Sequence, residues 1–475
     1  MSSWTALVVY TLGIAGLFFL DRDSSIRPSK ALWLPVIWLC IVGSRPVSIW
    51  LGVNSIDQLD RQLLDGSPTD RLVFLILLAV GILVLIHRSQ RTSVLPRASW
   101  PILLYFFYCL VSIIWSDFPD IALKRWSKGL GDLVIVLIVV TDADPLAALK
   151  RLLSRVGFVL VPASILVIKY FGDLGHAYDP FIGTQMNIGV ATDKNMLGVT
   201  TFVLSLGALW RVLTLIRDSH QPNRSRHLLA QSTLLLFGLA LLVMAHSATS
   251  VACFTLGAGL MLATIGLSVS KFPPALVHTL VLGILVTGGL TIALGSEASV
   301  VHALGRETNL TGRSAIWEAV IPMAPNPLLG AGFESFWLGS RLNAMWHAFP
   351  VFRPNEAHNG YIEVYLNLGW VGVVLIGLVL VNGYRRSTTV IRHDSTLGAL
   401  MLAYVISAGF YSITEAGFRM LDPIWIFLLL ATAASTYFSS HAPGEPPEPI
   451  ELTARMPAVL SADDTSFLDM KWEEN

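Results

Sequence analysis

The chain has 475 residues, equal numbers of basic and acidic residues, and a mean hydropathy of +0.64. Hydrophobic residues make up 54% of it and charged residues only 13%, whereas a globular domain usually has roughly 25% charged residues. This composition excludes an ordinary soluble protein, and a net charge of zero gives no global field that would attract nucleic acid. Cys40, Cys109 and Cys253 lie in apolar runs, so we interpret them as packing residues.

Apolar runs recur along the whole chain, and each is long enough to cross a hydrocarbon layer of roughly 30 Å. Their continuity favours helices over the alternating strands of a barrel, since lipid offers the backbone no hydrogen-bond partner. The first run has no basic leader and no cleavage site, so we predict a retained span. The sequence therefore predicts an all-α polytopic membrane protein with 12–13 transmembrane helices. The predicted spans are 4–20, 31–52, 69–88, 99–116, 126–141, 154–171, 190–216, 228–246, 248–269, 274–295, 359–384, 396–414 and 420–438.

The distribution of basic residues over the connections predicts the orientation of these helices. One set of connections, together with the tail, holds 19 Lys and Arg residues, and the opposite set holds 12. Because cytoplasmic loops carry the excess of Lys and Arg, the first set and the tail are predicted to be cytoplasmic. The predicted organisation is ten helices in 1–295, a large external or periplasmic loop in 296–358 containing short amphipathic helices, three helices in 359–438, and a disordered tail in 439–475.

The external loop has an unusual charge pattern, because it contains four arginines and no lysine. Positive charges on the outer side oppose the usual insertion bias, and the planar guanidinium group suits phosphate. We therefore expect an anionic partner there. The alternative is a solvated loop whose arginines pair with its own glutamates. The arginines are Arg306, Arg313, Arg341 and Arg353, and the glutamates are Glu307, Glu318, Glu334 and Glu356.

Further basic residues lie in or beside the predicted spans. Arg45 lies inside the second span, and an ionisable group within the membrane is a functional candidate. Lys169 ends the sixth span and Lys194 begins the seventh, where both can alternatively snorkel to the interface. Asn195 and the helix N-terminus beside it offer amide donors to an anion.

Two segments of the loop are predicted to be ordered. TGRSAIWEAVIPMA places Ile316, Trp317, Val320 and Ile321 on one face of an amphipathic helix. In NPLLGAGFESFW, prolines and glycines punctuate an apolar segment whose aromatic residues are typical of a membrane interface and can also stack on sugar rings.

His358 lies where the loop returns to the membrane. Histidine can accept a proton near neutral pH, and we expect Glu356 or Glu363 to orient it. The alternative is an interfacial histidine with no chemical role. The histidines are scattered without metal-ligand spacing, so no metal site is predicted.

TGRSAIW, NPLLGAGFESFW and AHNGYIEVYLNLG, in this order, resemble the signature segments of the O-antigen ligase and polysaccharide polymerase superfamily. GSRPVSIWL, WSDFPDIALKRW, PASILVIKYFGDLG and TDKNMLG are similar to its exopolysaccharide polymerization branch. The sequence departs from the pattern at Gly172, where the branch has proline. It departs again at Ala248, where the family has a basic residue in a Ser-Arg-Thr-like turn.

The resemblance implies a GT-C-like fold and a glycosyltransferase in the bacterial inner membrane that needs neither metal nor cofactor. It would polymerise polyprenyl-diphosphate-linked repeat units at the outer face with inversion at the anomeric carbon. The implied partners are the lipid-linked glycan donor, a glycan acceptor, membrane lipid, a chain-length regulator and the export machinery. The alternatives are an O-antigen ligase that transfers glycan to lipid A core, a transporter or flippase of lipid-linked sugar, a nucleotide-sugar glycosyltransferase acting from the cytoplasm, and a scaffold without catalytic activity.

The resemblance and the charges together predict the site residues. His358 is expected to be the general base, oriented by Glu356 or Glu363, and Arg313 is expected to bind the diphosphate or the donor glycan. The further residues predicted to bind diphosphate or glycan are Arg45, Lys169, Lys194, Asn195, Arg341, Arg353, Asn359 and Trp317.

Overall fold

The computed structural model describes residues 2–22, 28–53, 66–89, 99–178, 183–266, 279, 283, 311–351 and 353–440. The predicted tenth span, apart from two isolated positions, lies outside the described residues. So do the first part of the predicted external loop, including Arg306 and Glu307, and the tail beyond residue 440.

The described residues form an almost purely helical structure. Its α-helices are α1 Ser3–Leu20, α2 Trp33–Val42, α3 Val47–Trp50, α4 Pro68–His87, α5 Trp100–Val111, α6 Pro119–Val140, α7 Pro145–Tyr170, α8 Gly172–Gly175, α9 Lys194–Arg217, α10 Arg224–Ala245, α11 Ala248–Gly266, α12 Thr311–Val320, α13 Gly339–Ala348, α14 Gly360–His393, α15 Ser395–Thr414 and α16 Pro423–Ser440. Short 3₁₀ helices span Lys30–Leu32, Ser112–Trp115 and Ile321–Met323. One antiparallel hairpin pairs β1 His176–Tyr178 with β2 Gln185–Asn187.

Eight of these helices are long and apolar enough to cross a membrane, namely α1, α4, α7, α9, α10, α11, α14 and α15. Three shorter apolar stretches, Lys30–Val42, Trp100–Trp115 and Pro423–Ser439, and the more polar α6 occupy the positions of four of the other five predicted spans, the fifth being the tenth span. The prediction of an all-α polytopic membrane protein is therefore confirmed. The predicted orientation of the helices stays a prediction.

The second predicted span, 31–52, is wrong as a single helix. The chain leaves the helical path after Val42 and forms a new short helix, α3, only after Pro46. Proline has no amide hydrogen for the helix ladder, and it disfavours helical geometry in the residue before it. Arg45 therefore lies in a break between two helices, with its side chain buried.

The helices at the centre of the described structure are buried on most sides. In α16 nearly every side chain is buried, and α15 buries Leu400, Met401 and Tyr404 completely. By contrast, α4 exposes Leu72, Leu75 and other apolar side chains. An outward apolar surface of this kind suits contact with lipid, where it costs nothing to expose.

The segment from α12 to the start of α14 forms its own small core. Ile316 and Val320 of α12 pack with Phe336, Trp337, Met345 and other buried apolar residues. The predicted amphipathic face is correct for Ile316 and Val320 and wrong for Ile321, because the helix tightens into a 3₁₀ turn there and leaves 43% of Ile321 exposed.

The NPLLG segment docks against a kink in α14. Gly369, with φ of +64°, interrupts the helix, and a Cβ atom there would lie 2.1 Å from the carbonyl oxygen of Leu328. The amides of Ala331 and Trp370 donate to the carbonyl oxygens of Leu366 and Pro327 across this contact. Only glycine permits such a close backbone approach together with a positive φ. The contact fixes the loop to the helix that begins just after His358.

Candidate functional site

Charged residues from four separate parts of the chain meet above the start of α14. We define the carboxylate–cation cluster as Arg313, Glu334, Glu356, His358, Glu415 and Arg419. Arg313 comes from α12, Glu334 from the loop before α13, Glu356 and His358 from the loop before α14, and Glu415 and Arg419 from the connection between α15 and α16. Every member except Arg313 lies in a connection and not in a helix.

Arg313 and His358 meet on one carboxylate. The Nη2 of Arg313 donates to the Oε1 of Glu415 at 2.9 Å, and its Nη1 donates to the carbonyl oxygen of Thr414. The Oε2 of Glu415 lies 3.5 Å from the Nδ1 of His358 and accepts from the Nδ2 of Asn195 at 3.2 Å. The side chain of Glu415 is only 6% exposed, so the cations around it offset the cost of burying its charge.

The same ring nitrogen of His358 also faces Glu356. The Nδ1 of His358 lies 2.8 Å from the Oε1 of Glu356, and the Nη1 of Arg419 donates to the Oε2 of Glu356 at 3.0 Å. Arg419 also donates through Nη2 to Glu334 at 3.2 Å. The cluster is therefore a continuous chain with Arg313 at one end and Arg419 and Glu334 at the other.

The charged groups of the carboxylate–cation cluster shift each other's pKa values. Burial would lower the pKa of His358, but the charges of and hydrogen bonds to Glu356 and Glu415 outweigh burial and raise that pKa to about 10. Burial would raise the pKa of Glu356, but His358 and Arg419 lower it to about 2. Glu334 raises the pKa of Arg419 further above its ordinary value, against the effect of burial. At neutral pH the structure thus favours an imidazolium cation at His358.

Of the two glutamates predicted to orient His358, Glu356 is in contact with it and Glu363 is not. Glu363 is buried, accepts from the Nε1 of Trp337 at 2.9 Å, and accepts from the backbone amide of Ala357. It fixes the backbone just before the histidine. Glu363 therefore supports the position of His358 indirectly.

Asn359 and Trp317 also hold this segment in place. The Oδ1 of Asn359 caps α14 by accepting from the amides of Tyr361 and Ile362, and its Nδ2 donates to the carbonyl oxygen of Ile413 at 2.8 Å. The Nε1 of Trp317 donates to the carbonyl oxygen of Ala357 at 2.7 Å. His358 itself has φ of +48°, an uncommon conformation for a non-glycine residue. These bonds on both sides hold the histidine in that conformation.

Four predicted binding residues have no contact with the cluster among the described interactions. Arg341 pairs with Asp117 at 2.8 Å, and Arg353 lies over the ring of Trp346. Arg45 donates through Nη2 to the carbonyl oxygens of Leu174 and Gly189. Lys169 is exposed in the last turn of α7. The structure thus brings Arg313, Asn195, Glu356 and His358 together and leaves these four cations elsewhere.

Lys194 is the first residue of α9 and directly precedes Asn195, which contacts the cluster. Asp193 caps this helix by accepting from the amides of Asn195 and Met196. The helix N-terminus, predicted to attract an anion, already has a carboxylate at its cap.

Sequence reasoning missed Glu415 and Arg419, which contribute most of the contacts of the cluster. Both lie in TEAGFRMLD, a short polar connection between two apolar runs on the side predicted to be external. This position could have indicated a role in the site, because the segment places a glutamate and an arginine on the same predicted side of the membrane as the loop of residues 296–358. Nothing in its sequence shows that it lies against His358.

A cavity of about 360 Å³ adjoins the Arg419 end of the cluster. It lies between α4, α6 and the connection that contains Arg419, and Glu356 and Arg419 form part of its wall. Its basic lining residues are Arg71, Lys124, Arg125, Lys128 and Arg419, and its acidic ones are Asp70, Glu356 and Asp422.

Glu356, His358 and Glu415 also have the donor atoms of a metal site, since one ligand atom from each lies within 4.8 Å of the others. Both carboxylates are already bonded to Arg313 or Arg419. A divalent cation at this position would have to compete with two guanidinium groups.

A cytoplasmic nucleotide-sugar enzyme would need metal-binding carboxylates, and Asp-x-Asp pairs occur in the sequence at 21–23 and 142–144, but the first aspartate of each pair has other partners. Asp142 pairs with Arg88 at 3.1 Å, and Asp21 lies 3.1 Å from His227 and 3.7 Å from Arg211. These contacts join neighbouring helices and favour a structural role for both aspartates.

Comparison with known proteins places these features in a family context. Residues 233–377, under a third of the chain, match the family model described as O-Antigen ligase. The chain is also 27% identical over 294 residues to the exopolysaccharide production protein ExoQ of Rhizobium meliloti (strain 1021), a match that covers 60% of this chain and 64% of that protein. The chain thus spans a little less than two thirds of the length of this relative. Both findings agree with the resemblance of the signature segments.

Proposed function

We propose that the chain is a glycosyltransferase of polysaccharide synthesis in the O-antigen ligase and polysaccharide polymerase superfamily, which the match of residues 233–377 to the O-Antigen ligase model and the similarity to ExoQ support. Its donor is a glycan linked to a polyprenyl diphosphate, and its acceptor is a hydroxyl group of another glycan. The reaction takes place at the outer face of the bacterial inner membrane, where the loop before α14 is exposed. The similarity to an exopolysaccharide production protein favours polymerisation over ligation to lipid A core.

One observation supports this proposal above all others. Arg313 and His358, which lie in two different signature segments, converge on Glu415. This contact brings two signature residues around one carboxylate within reach of a single reacting group, as a catalytic site requires and a transporter or a scaffold does not.

The proposed chemistry is a direct displacement. The acceptor oxygen attacks the anomeric carbon, the bond between that carbon and the diphosphate oxygen breaks, and its electron pair leaves with the diphosphate. Arg313 is a quarter exposed and is the cluster cation that we assign to the departing diphosphate. Fixed donors that face developing negative charge lower the barrier without reorganisation.

The proton of the acceptor hydroxyl needs a base. His358 stays the residue predicted from the sequence, but its raised pKa weighs against that role at neutral pH, because it already holds a proton. We therefore assign the imidazolium to charge stabilisation beside Arg313, and the role of base to Glu415, the carboxylate that contacts both. A base at His358 would make activity rise with pH up to about 10, whereas a required imidazolium would keep activity level below that pH and make it fall above about 10.

The proposed mechanism is independent of metal and of any cofactor, since guanidinium and imidazolium groups occupy the positions where a metal would neutralise charge. Membrane lipid surrounds the apolar helices, and a chain-length regulator and the export machinery are the proposed protein partners. No nucleic acid is expected to take part.

The test is transfer by the purified full chain, with a radiolabelled lipid-diphosphate glycan as donor and with or without EDTA. We expect product in both conditions. Arg313→Lys should lower the rate by about 10- to 100-fold at a normal protein level, since lysine lacks the planar fork whose two nitrogens reach Thr414 and Glu415. Arg385→Lys, on an exposed part of α14, is the matched control and should leave the rate unchanged. Normal transfer by Arg313→Lys would contradict the proposed site.

A further inference from the structure

Among the described residues that line the cavity beside the cluster, basic side chains outnumber acidic ones by five to three. Its volume of about 360 Å³ falls within the range of small-molecule sites, which is about 300–1,000 Å³.

The three acids of the cavity are already engaged. Asp70 accepts from the backbone amide and the hydroxyl of Ser48, at 2.9 and 2.5 Å. Glu356 binds His358 and Arg419. The Oδ1 of Asp422 accepts from the backbone amide of Ile424 at 2.9 Å. Each of these bonds lies within the protein, so the acids support the fold and the cluster.

The lysines of α6 have a different arrangement. Lys124 and Lys128 are one helical turn apart and therefore lie on the same face, where two like charges destabilise a helix. Lys128 lies 5.9 Å from the centre of the Phe74 ring, and Lys124 is exposed at the cavity edge. Arg125, between them, donates to the carbonyl oxygen of Glu334 and so connects this face to the cluster. An anion bound between the two lysines would offset the repulsion between their charges.

The position of the cavity indicates which substrate it serves. Its lining includes Glu356 and Arg419 but, among the described residues, neither Arg313 nor Glu415. The cluster is a chain of contacts, and the proposed function places the donor diphosphate at its Arg313 end. The cavity adjoins the other end, where an acceptor would approach.

We propose that this cavity binds a carboxylate-bearing sugar of the acceptor glycan, so that the polysaccharide made by this protein is acidic. This inference rests on the proposed function, because it takes the glycan acceptor from there. Lys124 and Lys128 bind the sugar carboxylate, and Arg419 links that binding to the reacting cluster.

The experiment compares one glycan with and without its carboxylates. The lipid-linked repeat unit is extracted from the deletion strain, and half of it is treated with carbodiimide and borohydride, which reduces sugar carboxylic acids to alcohols and leaves the diphosphate intact. Transfer by the purified full chain is measured on both halves. The variants are Lys124→Gln, at an exposed position, and Lys124→Gln/Lys128→Gln, with Lys30→Gln, an exposed lysine outside the cavity lining, as the control.

We expect the wild type to transfer the acidic glycan at least 10-fold faster than the reduced glycan. The double variant should lose most of this rate difference. Its rate on the reduced glycan should stay that of the wild type, which also shows that the variant is folded. Lys124→Gln alone should lose part of the rate difference. Equal wild-type rates on the two glycans would overturn the inference and leave the proposed function intact. An equal loss on both glycans in Lys124→Gln would assign the lysines to the diphosphate and also overturn it. No wild-type transfer of either glycan would instead refute the proposed function.

Discussion

Replacement of Glu356 by glutamine tests whether the charges of the cluster are energetically coupled. Glu356 contacts His358 at 2.8 Å and Arg419 at 3.0 Å. Glutamine keeps the size of the side chain but removes its charge, so two cations lose their common partner. The loss of one member of a buried ion pair costs about 3–5 kcal/mol. Because the His358 and Glu356 side chains are 19% and 25% exposed, we expect the lower end, about 3 kcal/mol.

The pH dependence of this contribution has a definite sign. Folding raises the pKa of His358 to about 10, so its stabilisation is complete below the unfolded pKa of 6.5 and is lost as pH rises through about 10. Folding lowers the pKa of Glu356 to about 2, so its stabilisation is complete above 4.5 and is lost as pH falls through about 2. Both conditions hold between pH 4.5 and 6.5, and there the effect of Glu356→Gln should be largest.

The assay is thermal unfolding of the purified full chain at a series of pH values. An unfolding entropy of about 2.1 cal/mol/K per residue means that about 3 kcal/mol lowers Tm by about 3 °C in a chain of this length. We expect this difference near pH 6 and a much smaller one near pH 10. Glu318→Gln, at an exposed glutamate of α12, should change Tm little at either pH. A difference that is the same at both pH values would refute the coupling of Glu356 to His358.

Three further predictions test other parts of the structure. Gly369→Ala should prevent accumulation of folded protein, because the new Cβ would meet a backbone carbonyl oxygen at 2.1 Å, whereas Gly377→Ala, with open space around it, should accumulate normally on immunoblots. Asp132→Ala should lower the free energy of unfolding by about 2–4 kcal/mol, measured in denaturant, since the buried indole of Trp38 and the backbone amide of Leu421 lose their acceptor. Glycan transfer by the wild type should keep its full rate in EDTA, and a rate restored only by added divalent cation would contradict the metal-independent mechanism.

The helices could be predicted from the sequence because hydrophobicity alone decides which segments enter a membrane. The exceptions lie where a local feature overrides hydrophobicity. Pro46 ends the second helix early, and the polar first half of α6 extends a helix well before its apolar run. A hydropathy average shows neither effect, because it registers neither the break caused by one proline nor helical residues that are polar.

The candidate site could be predicted only in part. Arg313, Glu356 and His358 lie in segments with recognisable patterns, so the sequence was enough to choose them. Glu415 and Arg419 follow His358 by more than fifty residues and a long hairpin of two helices. Their contact with His358 depends on how α14, α15 and α16 pack, and no local pattern encodes that packing.

The wrong placements have a common physical cause. From the sequence we expected these arginines to bind a ligand. However, a guanidinium group has five N–H donors, and carbonyl oxygens of the protein itself can accept from them. Arg45 takes the carbonyl oxygens of Leu174 and Gly189, and Arg341 takes those of Ser335 and Phe336 in addition to Asp117. These arginines join segments of the protein to each other.

The same reasoning restricts where a substrate anion can bind. In the carboxylate–cation cluster three cations face three carboxylates, so the cluster has no net charge of its own when His358 is protonated. Its carboxylates hold the cations at fixed spacing, which prepares them for a diphosphate but also competes with it. An anion of the acceptor gains more at the cavity, where Lys124 and Lys128 face space lined by acids that are already bonded. The two ends of the cluster therefore suit different tasks, a leaving group at Arg313 and the recognition of a charged sugar near Arg419.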